Sequence, residues 1–484
     1  MKLWNEPPPL QNPQSLWYPP VRILLTNHRL DVRGGSELYL RDVAAALRRR
    51  GHHPIAYSPF LGMAADDLRE CAIPVVRDLA LLGAPPDLIH GQHHLPTVEA
   101  LLRFPGVPAV FFCHGWLPWQ EMPPRLSRIV RYVAVDALRR ERLITEEGIP
   151  PEMVEVIPNF VDLERFRPRP QPLPERAKRA LVFSNHAVPG DGFHRLAMTA
   201  CAEGGIEVES LGARTGRFLD RPEDILSGYD IVFARGRAAM EAMAVGCAVI
   251  LCDDEGLGPM VTRAAVEELA AANFGVAALD HAPRVDLIQD RLDQYDPANA
   301  AAVQGWIREH AGLAAAVDRI EKVYADVIAG WSGPAGVEAS VEAAELAAYL
   351  HLVHSVVIPQ AMRDAQGDSE RDAGRRVAAV RAEMAALTEQ LEAALEASTV
   401  SDSVARAERA ALTEQLEAAL EASTASDSVA RALTGQVEEL NAGLEQLRAS
   451  RAVRLQTWLR GHPILAGAYR FLLGPCSARR NRDQ

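Results

Sequence analysis

Glu241 lies in a helix-forming run, Ala238 to Val245, whose other side chains are small or apolar. That run follows the apolar stretch Ile231 to Ala234 across Gly236, a residue suited to a tight turn. Gly246 is placed to cap the helix and Ala248 to Cys252 reads as a second buried strand, so Tyr229 to Val261 is strand, turn, helix, strand and loop, a unit of a parallel sheet. Nucleotides bind in the crevice at the carboxyl ends of such strands, where a carboxylate can accept hydrogen bonds from ribose hydroxyls; an exposed helical glutamate is the plain alternative. Two further strand ends carry histidines, LIHGQHH with His90, His93 and His94, and VFFCHGW with His114. Gly34 and Gly35 separate the strand Arg22 to Thr26 from the helix Ser36 to Arg50. They let the backbone approach a ligand, and Ser36 is placed to N-cap a helix whose first amides favour an anion. The pattern is not GxGxxG, so it gives little support to a dinucleotide dehydrogenase.

The elements that must hold these residues alternate. His53 to Ser58, Pro74 to Arg77, Asp87 to His90, Val107 to His114 and Arg131 to Val135 are strand-like with helical stretches between several of them, a doubly wound α/β pattern. PRPQPLPE at 168–175 is a Pro-rich hinge. A second alternating unit follows, with strands Ala180 to Ser184, Glu207 to Leu211, Ile231 to Phe233 and Val249 to Cys252, then helices Val266 to Ala272, Ala300 to Ala329 and Val337 to Ala361.

The chain of 484 residues is long enough for two or three domains, and 48% hydrophobic residues are ample for their cores. A formal charge of −13 argues against a general nucleic-acid binder, because phosphate contacts need a basic surface. Six cysteines without a CxxC read as reduced core thiols of a cytosolic protein. No basic segment leads into an apolar run at the N-terminus and no apolar stretch of 18 residues is seen, so neither secretion nor a membrane span is expected. From about Arg371 the composition turns to Ala, Glu, Leu, Arg and Gln. ALTEQLEAALEAST recurs at 386–399 and 411–424, and Leu433, Val437, Leu440, Leu444 and Leu447 step by four and three, the seam of a coiled coil; a lone solvated helix is the alternative. In 451–484 the sign reverses, and Arg454, Arg460 and Arg470 interleave with Trp458, Leu459, Tyr469 and Phe471. Such a tail can lie on an anionic membrane or pack on the coiled coil.

EAMAVG at 241–246, RGGSE at 33–37, CHG at 113–115, VAVDALRRE at 133–141 and VEVIPNFVDLERFRPR at 154–169 occur in one order along the chain. This set resembles the GT-B glycosyltransferases of family 4, over about residues 21 to 330. The resemblance implies two Rossmann-like domains facing across a cleft and retaining, metal-independent transfer of a sugar from a nucleotide-sugar co-substrate, with no further cofactor. It also implies roles: Gly34 and Gly35 approach donor or acceptor, His114 sits beside the transferring sugar, and Glu241 binds the donor ribose. His90, His93 and Asn159 are expected in the acceptor side or the cleft. Three departures stand out. Phe160 replaces the usual Gly of the IPN motif, and Phe233 stands where the family often has a Glu. SNHAVPGDG at 184–192 puts His186 and Asp191 where Arg and Lys usually clamp the diphosphate. His186 is then the donor-side residue of that loop, and Arg235 and Arg237, flanking Gly236, are the candidates for replacement charge, Arg237 foremost. Asp253 and Asp254 of CDDEG read as turn residues rather than a metal-binding pair.

The expected organisation is a Pro-rich arm (1–20), an acceptor-side domain (21–167), a donor domain (168–334), linker helices (335–370), a coiled coil (371–450) and a basic amphipathic tail (451–484). The expected protein is a cytoplasmic glycosyltransferase of cell-surface polysaccharide synthesis, using a glycan or lipid-linked acceptor. It would oligomerise with itself through the coiled coil and touch the inner face of the membrane through its tail. A GT-B scaffold without transferase activity and a nucleotide-sugar epimerase of the same architecture are the rivals.

Overall fold

The computed structural model describes residues 19–115, 119–185, 187, 189–190, 192–212, 221–333 and 339–364. The arm 1–18, His186, Asp191, the coiled-coil segment and the basic tail lie outside the described residues. The chain forms two compact units, Met1–Val353 and His354–Gln484. Of the second, residues 354–364 are described and are helical.

The first unit holds two sheets. β1 (Arg22–Thr26), β2 (His53–Tyr57), β3 (Val75–Val76), β4 (Leu88–Gln92), β5 (Ala109–Cys113), β6 (Ile129–Ala134) and β7 (Val154–Val156) are parallel in the order β3-β2-β1-β4-β5-β6-β7. This is a doubly wound order whose direction reverses between β1 and β4, and in such sheets ligands bind beyond the carboxyl ends of the two strands at the reversal. β8 (Arg179–Phe183), β9 (Glu207–Leu211), β10 (Ile231–Ala234), β11 (Ala248–Asp253) and β12 (Gly256–Met260) follow in the order β12-β11-β10-β8-β9, reversing between β8 and β10. β12 pairs antiparallel with β11, so the loop expected after Cys252 is instead a hairpin.

Both faces of each sheet are covered, as near-continuous apolar strands require. Ile23, Leu25, Val110 and Phe112 face one core while Leu24, Ala109 and Phe111 face the other, the period-two alternation of a strand. In the second sheet Leu181, Val232 and Val249 oppose Val182, Phe233 and Ile250 in the same way. The helices needed below are α1 (Gly35–Arg49), α2 (Met63–Glu70), α3 (His94–Arg103), α4 (Ala137–Thr145), α5 (Gly192–Glu203) and α6 (Gly236–Val245). After α7 (Val266–Ala271), α8 (Val285–Leu292) and α9 (Pro297–His310) come α10 (Leu313–Gly330) and α11 (Ala339–Leu352).

The single helix expected over Ala300 to Ala329 is broken at Ala311 and Gly312. There Val161, in the connection between the sheets, donates its N–H to Ala311 O at 2.9 Å and accepts from Leu313 N at 3.0 Å. This bridge marks a double crossing. Beyond it Leu313, Val317, Ile320 and Tyr324 of α10 pack into the core of the first sheet, so α10, inside the 168–334 range, belongs physically to the sheet before the hinge. α11 packs on that sheet's other face through Leu346 and Tyr349, and is tied there by Glu342 to Arg128 Nε at 2.8 Å and Glu345 to Ser127 N at 2.8 Å. Among the described residues one helix, Val341–Asp364, is long and apolar enough to cross a membrane, with a window of mean hydropathy 1.4. This corrects the expectation that no such stretch exists, and it rests on length and composition alone. Among the described cysteines, Cys113, Cys201, Cys247 and Cys252 are buried free thiols and Cys71 is half-buried.

Candidate functional site

The two halves of the first unit meet where their strands end. Gly34 is the N-cap of α1, with no side-chain cap, so the Ser36 hydroxyl does not serve as expected; it donates to Glu37 Oε2 at 3.1 Å instead. A Cβ on Gly34 would strike the Glu37 carboxylate, whereas one on Gly35 would meet open space. Glu37 is buried, and that burial pushes its carboxyl up. Arg33, just before the glycines, is bidentate to Asp67 of α2 at 2.8 and 2.6 Å, and its carbonyl accepts from Asn185 Nδ2 at 3.5 Å. Asn185 follows β8, so the residue before the glycine pair of the first half touches the start of the connection from β8 to α5 in the second.

α6 starts at Gly236, whose φ of +57° is the left-handed value that favours glycine, and its N–H donates to Phe274 O at 2.7 Å. Gly246 caps the helix at φ +104°. The arginines around that turn are both engaged. Arg235 pairs with Asp253, which assigns the first aspartate of CDDEG to an ion pair. Arg237 reaches across to Asp42 of α1, lies 3.7 Å from Glu241 one helical turn on, and stacks its guanidinium 5.3 Å from the centroid of Phe160. Glu241 is buried beside it, which pushes its carboxyl up against the opposing pull of Arg237, Arg165 and Arg41.

Asp42 ties these parts together. It accepts from Arg41 Nε and Nη2 at 3.0 and 2.6 Å and from Arg237 Nη2, with Arg165 Nη1 at 3.5 Å. Burial works against its charge, but Arg237, Arg41 and Arg165 together hold the carboxyl below the usual range. Arg165 continues to Glu223 at 3.3 Å.

His114 ends β5 with its backbone N–H bound to Glu121 Oε2 at 3.0 Å and its ring 4.4 Å from Tyr39. Burial lowers its pKa to about 4, so the imidazole is neutral at neutral pH. Glu121 is held down to about 2: burial opposes its charge, but His93, His114 and the His114 amide outweigh it. His93 caps α3 at φ +60°, accepts the His28 N–H at 3.1 Å and sits 3.5 Å from Glu121, so both ring nitrogens are engaged. The buried polar atoms of this region without a hydrogen-bond partner among the described residues include Tyr39 Oη, His114 Nε2, Asn159 Oδ1, Arg237 Nη1, and Arg165 Nε and Nη1. Phe160, where the family has Gly, fills the space between Tyr39, at 4.8 Å, and Arg237.

The expected residues therefore separate. Arg237, Glu241 and His114 are linked through Phe160 and Tyr39, Gly34 and Gly35 begin the helix that carries Tyr39 and Asp42, Asn159 precedes Phe160, and Arg235 and Gly236 form the turn before α6. His90 lies behind them: it is fully buried, its ring 6.5 Å from Tyr39, bound through Nδ1 to Tyr324 Oη at 2.5 Å and through Nε2 to Gln92 at 3.2 Å, and stacked on Phe112 at 3.7 Å. The strand runs two residues past His90, which turns that ring into the sheet's core. Asp42, Tyr39 and Glu121 escaped sequence reasoning. Asp42 lies three positions beyond Tyr39 on the buried face of α1, and no local signal marks it as more than a solvated carboxylate. No group of three or more His, Cys, Asp or Glu side chains suited to a metal occurs among the described residues.

No curated protein matches the chain. Solved structures resemble it distantly. A glycosyltransferase from Rickettsia africae is 15% identical, covers 65% of this chain and 100% of its own, and has a TM-score of 0.46. Anabaena HepE in complex with UDP-glucose is 17% identical, with 63% and 100% covered and a TM-score of 0.47. Acinetobacter baumannii MurG is 14% identical, with 63% and 100% covered and a TM-score of 0.37. Residues 33–165 match the family described as Glycosyltransferase Family 4. That matched stretch contains Gly34, Gly35, Asp42, His114 and Asn159, while Arg237 and Glu241 lie outside it.

Proposed function

We propose that the protein transfers a sugar from a nucleotide-sugar donor to a glycan or lipid-linked acceptor, with retention and without a metal, in the synthesis of a cell-surface polysaccharide. In the reaction the bond from the sugar's anomeric carbon to the diphosphate oxygen breaks and a bond to an acceptor hydroxyl oxygen forms on the same face. The hydroxyl's proton passes to the departing phosphate. Charge growing on that phosphate needs donors already aimed at it. Arg237 Nη1 and the uncapped amides at the start of α1 are our candidates, Glu241 takes the ribose hydroxyls, and neutral His114 hydrogen-bonds a sugar hydroxyl through Nε2. Gly34 and Gly35 let the donor or acceptor approach the backbone. Arg235, His93 and Asn159 line the approaches, and His186 is kept as a donor-side residue from the sequence alone.

The observation that carries this reading is the set of unpartnered buried polar atoms on Tyr39, His114, Asn159 and Arg237, inside or beside a family 4 domain. Buried polar groups are ordinarily satisfied, and a ligand is what would satisfy these. Thermal melting with UDP-, GDP-, ADP- and dTDP-sugars, followed by release of nucleoside diphosphate on adding acceptor, tests it. Stabilisation by one donor with turnover is the expected result, and no shift and no turnover with any of them would overturn it. A scaffold without transfer is favoured by one observation, that Arg33, Arg235 and Arg237 each already hold a carboxylate. Donor binding without turnover would support that reading. Donor conversion with no acceptor would support an epimerase. Oligomerisation through 371–450, membrane contact through 451–484 and a cytoplasmic location remain part of the proposal.

A further inference from the structure

Asp42 belongs to a helix of the first sheet, yet its partners come from three parts of the chain: Arg41 on the same helix, Arg165 in the connection between the sheets, and Arg237 on α6 of the second. Arg237 is consequently held on several sides. Asp42 takes Nη2, Glu241 stands 3.7 Å from that nitrogen, and the ring of Phe160 lies against the guanidinium. A guanidinium is planar, so fixing one terminal nitrogen and the plane fixes the direction of the other. That other nitrogen, Nη1, is the buried one without a partner. Tyr39 Oη and His114 Nε2 are likewise unpartnered, their rings are 4.4 Å apart, and Tyr39 touches the other side of the Phe160 environment at 4.8 Å.

We propose that Asp42 is a positioning residue, the counter-ion through which the first half of the molecule aims Arg237 of the second half at a phosphate oxygen of a nucleoside diphosphate. The inference rests on reading Arg237 as the cation that meets the phosphate. Asp42 can do this without cancelling Arg237, because its charge is shared with Arg41 at 2.6 Å and Arg165 at 3.5 Å. Because the ion pair joins α1 to α6, the donor nitrogen is aimed only when the two halves are apposed.

The opposite role for Asp42, competing with phosphate for Arg237, makes the opposite prediction, so affinity decides between them. Calorimetry on the full-length chain with UDP, GDP, ADP and dTDP would compare wild type, Asp42→Asn, Arg237→Ala and the double variant. With the diphosphate that wild type binds best, Asp42→Asn is expected to bind about tenfold more weakly, the scale of one misdirected charge-assisted hydrogen bond. Arg237→Ala should lose at least as much, and the double variant no more than Arg237→Ala alone. Tighter binding by Asp42→Asn would overturn the proposal in favour of competition. An equal loss with Arg237 present or absent would overturn it in favour of a purely structural role. If Asp42→Asn does not fold, Asp42→Glu keeps the charge but moves it by one methylene; its loss must likewise vanish in the Arg237→Ala background, and persistence there would refute the idea. Wild-type affinity in Arg237→Ala, or no binding of any of the four by wild type, would instead refute the reading of Arg237 on which the proposal rests.

Discussion

Replacing Glu241 by Gln should stabilise the protein while weakening its grip on nucleotide. Its side chain is 7% exposed and its nearest cation, Arg237, is 3.7 Å away, beyond hydrogen-bonding distance, because that guanidinium gives its short bond to Asp42. Burial raises the Glu241 carboxyl above its ordinary value of 4.5, and Asp42 adds to the rise. A carboxyl raised on folding contributes stability that is full below the unfolded value and is lost as pH climbs through the folded one, so at neutral pH ionised Glu241 is a liability. Removing a buried charge so poorly compensated relieves about 1–3 kcal/mol. Loss of the 3.7 Å attraction to Arg237 and the burial of a fresh amide offset part of this. A net gain of about 1 kcal/mol corresponds to roughly 2–4 °C in melting temperature, by the scaling for domains of a few hundred residues.

Binding should move the other way. A hydrogen bond from a ribose hydroxyl to a carboxylate contributes about 1.5–3 kcal/mol, so Glu241→Gln should bind nucleoside diphosphate roughly tenfold or more weakly, and Glu241→Ala should do the same. Melting curves with and without nucleotide, paired with calorimetry, read both quantities on one sample. A lower melting temperature with unchanged affinity would refute the reasoning, since Glu241 would then be an ordinary member of the Asp42 ion-pair network.

His90→Ala should cost about 2–4 kcal/mol in a denaturant titration, from the lost packing on Phe112 and the stranded Tyr324 hydroxyl, and leave nucleotide affinity unchanged; a large affinity loss would return His90 to the site. His90, His94 and His114 are all buried with lowered pKa values, His94 and His114 to about 4, so the unfolded chain binds more protons than the folded one below its ordinary 6.5. Stability should fall as pH drops from 6.5 towards 4, by up to about 1.4 kcal/mol per pH unit for each histidine, and His114→Asn should flatten that slope; a urea midpoint constant over this range would refute their being buried and neutral. Truncation after residue 364 should convert an oligomer to a monomer in sedimentation and abolish salt-sensitive flotation with anionic liposomes. A monomeric full-length chain would refute pairing through the Leu433 to Leu447 seam.

Much of this architecture was legible because buried parallel strands are short apolar runs bounded by turn residues. β1, β9 and the capped helix α6 fall within a residue or two of where the pattern puts them. What escaped has a common physical cause. Strand periodicity says which residues face a core but not where a strand stops, and β4 runs two residues past His90. GLGPM looks like a loop because Gly and Pro are poor strand formers, yet at the edge of a sheet β12 needs few ladder bonds, and Pro is tolerated there.

Asp42 escaped for a deeper reason. A carboxylate in a helix rich in arginine reads as a solvated face, and only the return of the chain across the junction shows otherwise. That return depends on Val161, which bonds Ala311 O and Leu313 N on either side of Gly312 and so separates α9 from α10. The break sends α10 onto the first sheet, where Arg50 bonds Asp318 and Glu321 at 2.6 Å each. The connecting segment around Val161 also carries Phe160 and Arg165, so the same crossing that fastens the two halves brings Arg165 to Asp42 and lays Phe160 against Arg237. The alignment of the proposed phosphate-facing cation is thus a consequence of how the chain crosses between its sheets, a long-range property that no local run of residues encodes.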